Sequence, residues 1–237
     1  MFGFVLKTAG TQTITAADRN NNLINGTSPG ISVTPAEVAR FGVTGFPSPV
    51  QAGTPGNFQI TALDAYGNVS TGYTGTVTFS SSDPQAELPG DYTFTGVEAG
   101  RLTVMATLKT AGTASINVVD TSSGVTGSQP NITVTPGVGV SFALSGIPSD
   151  VHVGSLVLFT LTAVDAFGNT GAIYVGRVHF TSSDTTANLP EDYTFSAADG
   201  GTHVFAVVFN GFGTQWLAAT DTLDPTITDT VGGIDVI

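Results

Sequence analysis

The chain of 237 residues has no cysteine, which excludes a disulfide framework, thiol catalysis and cysteine-ligated zinc. It has six Lys and Arg against eighteen Asp and Glu, a formal net charge of −12. So few cations cannot build the basic patch that neutralises phosphates, so nucleic acid is not an expected partner. No window carries a 3.6-residue apolar period with caps at both ends, so helices are not expected. No apolar run approaches the roughly 18 residues of a membrane span, and no membrane insertion is expected in this segment. The opening Met1-Phe2-Gly3-Phe4-Val5-Leu6-Lys7 is too short and wrongly flanked for a signal peptide. If the parent protein is exported, its signal and anchor are expected outside this stretch. The acidic, sparsely charged composition suits a secreted protein, serving solubility or attracting divalent cations.

What the sequence does contain is strand and turn chemistry. Thirty glycines and twelve prolines punctuate apolar and Thr/Ser-rich segments, and only 10% of residues are charged. That pattern predicts many short strands and an almost entirely β fold. Phe58, Ile60 and Ala62 alternate with Gln59 and Thr61, and Val77 and Phe79 with Thr76 and Thr78. Leu102, Val104, Ala106 and Leu108 form another inward row, as do Ile116 and Val118.

The chain repeats itself. Phe41, Pro47, Gly53, Phe58, Asp64, Gly67, Asn68, Phe79, Asp83, Asp91, Tyr92, Phe94 and Asp120 recur 101 positions later. The second series is Phe142, Pro148, Gly154, Phe159, Asp165, Gly168, Asn169, Phe180, Asp184, Asp192, Tyr193, Phe195 and Asp221. A partial third copy opens the chain, where Leu6-Lys7-Thr8-Ala9-Gly10-Thr11 anticipates Leu108-Lys109-Thr110-Ala111-Gly112-Thr113. The expected domains are therefore a C-terminal remnant over 1–35 and two complete repeats over 36–136 and 137–237. About seven strands in ~100 residues match an immunoglobulin-like β-sandwich. In the middle repeat they are expected near 38–45, 57–64, 75–80, 92–95, 101–108, 113–120 and 124–134, labelled A to G. The remnant then holds only E, F and G. The inward-facing Phe2, Phe4, Leu6 and Ile14 have no facing sheet, so the remnant is expected to pack on the middle repeat, to associate between copies, or to be a cut end of a longer reading frame.

The run Thr61-Ala62-Leu63-Asp64-Ala65-Tyr66-Gly67-Asn68 with Val77-Thr78-Phe79-Ser80-Ser81-Ser82-Asp83 resembles bacterial Ig-like tandem repeats. Its copy at 161–169 and 178–184 does the same, and the likeness is to the invasin/intimin-type and filamin-like repeats of very large surface proteins. The resemblance spans essentially the whole chain and implies an extracellular or bacterial cell-surface stalk. Such motifs specify fold far better than function.

The loops Asp64–Asn68 and Asp165–Asn169 close strand B. As turns, their Asp accepts backbone N–H groups, Gly supplies a positive φ and Asn ends the turn. As ligands, their oxygens suit calcium. Head-to-tail stacking of the resembling fold would gather Asp83, Glu87 and Asp91 near Asp165, Asn169 and Asp221, with Lys109 as the nearest cation. Calcium is the one cofactor this suggests. Trp216, the single tryptophan, should face outward from strand F beside the outward His179 of strand C, a candidate face for sugar or an added strand.

Catalytic readings fare worse. Gly26-Thr27-Ser28-Pro29-Gly30 fits a nucleophile-elbow pattern but lacks the strand–turn–helix context. His152, His179 and His203 have no metal-ligand spacing. The sequence therefore reads as a non-enzymatic, all-β tandem of seven-stranded Ig-like sandwiches. Its expected function is the spacer or stalk of a large bacterial adhesin, with neighbouring repeats of the same chain as partners. The alternatives are a carbohydrate- or protein-binding module around Trp216, or a filament-forming repeat protein.

Overall fold

The structure, a computed structural model, describes residues 3–171 and 173–237. Four short strands come first: β1 (Gly10–Gln12), β2 (Thr15–Ala17), β3 (Asn25–Thr27) and β4 (Ile31–Val33). The next series is β5 (Val38–Thr44), β6 (Val50–Gln51), β7 (Pro55–Asp64), β8 (Thr76–Ser81), β9 (Tyr92–Thr93), β10 (Arg101–Thr107), β11 (Gly112–Asp120) and β12 (Thr126–Thr135). The same order returns in β13 (Ser141–Ser145), β14 (Asp150–Val151), β15 (Leu156–Val164), β16 (Arg177–Ser182), β17 (Tyr193–Thr194), β18 (Thr202–Val208), β19 (Gly213–Asp221) and β20 (Thr228–Val236). Among the described residues the one helical element is a 3₁₀ turn at Ala197–Asp199.

Each series folds into a three-stranded and a five-stranded sheet. The first gives β10-β7-β5 and β6-β12-β11-β8-β9, and the second gives β13-β15-β18 and β14-β20-β19-β16-β17. The fold is thus the all-β, Ig-like sandwich that alternation predicts. The seven-strand plan is modified in one respect, because strand A is broken in two. Gly45 turns at φ +93 and is followed by Pro47 and Pro49, which cannot donate to a ladder. Beyond this break, β6 pairs parallel with Val134 and Thr135 of β12. Gly146 (φ +84) and Pro148 impose the same break between β13 and β14. The fourth predicted strand shrinks to two residues and pairs with β8 or β16 in the larger sheet.

The chain divides into two compact units. Met1–Ser48, Pro55–Thr107 and Thr113–Ile132 form the first, and Pro49–Thr54, Leu108–Gly112 and Thr133–Ile237 form the second. The three-part division at 35 and 136 follows the sequence repeat, whereas these units follow spatial contacts.

The core of each unit is aromatic. In the first, Phe58 meets Phe46 and Phe79 edge-on, and Tyr73 stands between Phe41 and Phe94. In the second, Phe159 packs on Phe180 and Phe205, and Tyr174 stands between Phe142 and Phe195. Phe58 and Phe159 lie within strands whose alternate residues are buried, as the period-2 pattern requires. Each such burial contributes about 1.5–3 kcal/mol.

In the opening segment β1 pairs with β4 and β2 with β3, the equivalents of strands F and G. Among the described residues of the expected E strand and the turn after it, 3–9 carry no strand. The reason is visible in the complete series, where β10 is held by β7 over all seven of its residues. Among the described residues, 3–35 contain no such B strand. Of the predicted inward positions, Phe4 is exposed, Leu6 and Ile14 are half-buried, and Phe2 lies outside the described residues.

Candidate functional site

The most built polar feature of each unit is the loop that ends strand B. In the first unit, Gly67 N–H donates to the Asp64 carbonyl, making a tight turn, and Asp64 N–H donates to the Asn68 carbonyl. Gly67 sits at φ +87, a conformation that a side chain disfavours, so this position calls for glycine. A turn followed by one left-handed residue is a common three-residue hairpin connection.

The Asp64 side chain is fully buried and holds this turn from inside. Its Oδ1 accepts N–H from Tyr66 at 2.9 Å and from Asn68 at 2.8 Å, and its Oδ2 accepts Ala36 N–H at 3.0 Å. The Asn68 amide also donates to Oδ2 at 2.8 Å. Burial pushes the Asp64 pKa up, but the Asn68 amide and the three backbone donors outweigh it and lower it to about 2. In the second unit Asp165 repeats the pattern with Phe167, Asn169 and Gly137 N–H at 2.9, 2.9 and 2.8 Å, and Asn169 Nδ2 at 2.9 Å. Burial opposes ionisation there too, and the same donors hold the carboxyl below its ordinary range.

With Asp fixing it, the Asn side chain presents its remaining capacity to a second turn. In the first unit Asn68 Nδ2 donates to the Lys7 carbonyl at 2.7 Å, and Asn68 Oδ1 accepts Ala9 N–H at 2.9 Å. In the second unit Asn169 Nδ2 donates to the Lys109 carbonyl at 2.7 Å, and Oδ1 accepts Ala111 N–H at 2.7 Å. The Lys7 ammonium lies 5.3 Å from the Tyr66 ring centroid, and that of Lys109 lies 5.5 Å from the Phe167 centroid. Phe167 also covers Gly53, where an added Cβ would come within 2.4 Å of the ring.

The structure places the predicted calcium ligands as follows. Asp83 is buried in the first unit and accepts Gln85 N–H at 2.9 Å, while Glu87 and Asp91 of that unit are exposed. In the second unit Asp165 and Asn169 bond each other as described. Asp221 accepts the Tyr174 hydroxyl and the N–H groups of Leu223 and Asp224 at 2.7 and 2.9 Å. Burial raises the pKa of Asp221, and these bonds more than reverse it. Tyr174 is pushed up, first by burial and then by its bond to Asp221. Among the described residues no group of three or more His, Asp or Glu is placed to hold a metal ion.

Trp216 does face outward and is 39% exposed, while Leu217 and Ala219 are buried. His179 is also exposed, but the two do not lie side by side. His179 lies opposite Thr220 in register, four residues along β19 from Trp216, or roughly 13 Å at the rise of a strand. It instead contacts Asp192 Oδ1 at 2.6 Å, and Arg177 pairs with the other oxygen of that carboxylate at 3.0 Å.

Sequence reasoning marked both Asp–Asn loops and, separately, the Leu-Lys-Thr-Ala-Gly-Thr copies, without joining them. The signal was there, since both elements recur together. It also passed over Tyr73 and Tyr174, whose hydroxyls bond Asp120 and Asp221, although they too are 101 positions apart.

No family model matches the chain, and no curated protein matches it. Among solved structures the chain is similar to the Yersinia pseudotuberculosis adhesin InvE (15% identity, TM-score 0.34, 83% of this chain and 58% of that one). It is similar to the Escherichia coli adhesin FdeC (18%, TM-score 0.42, 86% and 67%). It is also similar to domains 4–9 of the surface layer protein SbsC (21%, TM-score 0.32, 90% and 33%). The chain thus spans a little over half of the InvE structure and a third of the SbsC one. Among the described residues no helix is long and apolar enough to cross a membrane.

Two outcomes follow from the loop geometry. Gly53 and Gly154 occupy matching positions at φ +81 and +77, yet a Cβ at Gly154 would meet nothing within 4 Å. Gly154→Ala is expected to cost about 1–2 kcal/mol from backbone strain alone. Gly53→Ala should cost clearly more because Phe167 must also move, and chemical denaturation of the two variants compares them.

The second concerns pH. A carboxyl whose folded pKa is depressed stabilises the fold above its unfolded value, near 4, and loses that contribution as pH falls through the folded value. For Asp64 the window therefore runs from about pH 4 down to about pH 2. Asp64→Asn should remove up to one proton from the slope of stability against pH in that window and leave the slope at neutral pH unchanged, as measured by denaturation at successive pH values.

Proposed function

We propose that this chain is a structural spacer, a tandem of Ig-like repeats belonging to a large extracellular bacterial surface protein, with no catalytic role. The observation that carries this reading is the duplicated loop. The same Asp and Asn atoms hold the same partners at both positions, and each carboxylate oxygen is engaged by backbone or amide donors. Such groups keep loops in place, and a general acid or nucleophile needs a free lone pair or a perturbed proton instead. Neighbouring repeats are then the main partners, and extracellular placement follows from the resemblance to invasin/intimin-type repeats. The divisions at residues 35 and 136 are part of this proposal.

A second reading has one observation in its favour. Trp216 is 39% exposed and Phe212, four residues earlier, is 73% exposed, a pair of aromatic surfaces suited to stacking on sugar. A glycan array separates the readings. The spacer binds no glycan, whereas retention that disappears in Trp216→Ala would establish the binding module.

Calcium held by Asp83, Glu87, Asp91, Asp165, Asn169 and Asp221 is a proposal that a melting curve decides. The oxygens of Asp165, Asn169 and Asp221 already accept protein donors. The midpoint is therefore expected to be the same in calcium and in chelator, and a rise in calcium would assign those oxygens to the metal.

A further inference from the structure

We propose that the Asp-Ala-aromatic-Gly-Asn loop is a recognition element whose ligand is a Lys-Thr-Ala turn carried by the preceding repeat, so that turn sequence governs which repeats can follow one another. The proposal deepens the spacer reading by naming the partner of each loop.

Its first support is duplication. The Asn amide reads a backbone carbonyl at Lys and a backbone N–H two residues later at Ala, in Lys7–Ala9 and again in Lys109–Ala111. A carboxamide has one acceptor and two donor hydrogens, and here the second hydrogen goes to the Asp that holds the loop. Both donor hydrogens are used in both copies, and the oxygen accepts one bond in each. Reading a carbonyl and an N–H in this way fixes the path of the turn, and two side chains add sequence to it. The lysine ammonium lies over the aromatic ring of the loop, and the alanine presents its N–H to Asn with only a methyl group beside it.

Its second support is the turn that breaks the pattern. Phe209-Asn210-Gly211-Phe212-Gly213 stands 101 positions after Leu108-Lys109-Thr110-Ala111-Gly112. Asn210 replaces the lysine, so no ammonium can cover an aromatic loop residue. Phe212 replaces the alanine and is 73% exposed. Asn210 and Gly211 N–H donate to Asp184 Oδ2 at 2.7 and 2.8 Å, so this turn is well formed. It is a sound turn with the wrong surface for an Asp-Ala-aromatic-Gly-Asn loop, and selectivity rather than folding is what distinguishes it.

The test transfers the sequence of the third turn to the second in the full chain, as Lys109→Asn, Thr110→Gly and Ala111→Phe together. Hydrogen exchange is followed by NMR at the backbone amide of residue 111 and at the Asn169 carboxamide. Loss of one net hydrogen bond corresponds to about tenfold faster exchange. Both groups are expected to speed up by about that factor, while the Ala9 amide, bonded to Asn68 in the same way, stays at its original rate. Lys109→Gln is the milder variant, removing only the charge over Phe167, and about two- to fivefold acceleration is expected. Original protection in both variants would overturn the proposal, because the turn sequence would then not be read. Glycan binding through Trp216 would sink the spacer reading without moving these rates, so the two can fail separately.

Discussion

The structure depends on a buried carboxylate held by backbone and amide donors. Removing Asp64 or Asp165 from water is costly, and ionisation survives only if the surrounding donors replace the lost hydration. Four donors do so in each case, three from the backbone and one from the following Asn. Because the backbone donors come from positions within the turn and from the start of the preceding strand segment, satisfying the charge also fixes the path of the chain. The turn, the position of Asn and the entry into β5 or β13 are set by one group.

From that constraint the outward function of the loop follows. An Asn free to rotate would lose several rotamers on binding a neighbouring turn, and its amide could satisfy water instead. Tied to Asp, it offers one oriented oxygen and one oriented hydrogen. The Lys-Thr-Ala turn in the same unit meets both. The aromatic residue of the loop has the same fixed placement, which is why Phe167 can lie against Gly53 where a Cβ would collide.

Much of this was legible in the sequence, for definable reasons. The strands could be read because burial on one face forces period-2 alternation, as in Phe58, Ile60 and Ala62. The turn could be read because Gly67 and Gly168 need positive φ and Asp needs nearby donors. The break in strand A was harder, although Pro47 and Pro49 announced it, because alternation runs on to either side. Residues 3–9 carry no strand because a strand needs a partner, and residue pattern alone carries no information about whether one is present. The pairing of Trp216 with His179 failed on register. Two outward residues on adjacent strands touch only if the ladder sets them opposite or diagonal to each other, and the ladder sets His179 against Thr220.

The acidic composition also becomes intelligible. Asp64, Asp83, Asp120, Asp165, Asp184 and Asp221 are all buried, and the bonds described for them come from N–H, hydroxyl or amide donors. A carboxylate stabilised in this way needs no lysine or arginine, which is how a chain with six cations accommodates eighteen acids. It also suits repetition. An ion pair between repeats would require each copy to keep a charge matched to its neighbour, whereas a carboxylate served by its own loop remains satisfied wherever the repeat is placed. Identity between neighbours can then be written in a few surface positions of one turn, and the interior can be copied unchanged.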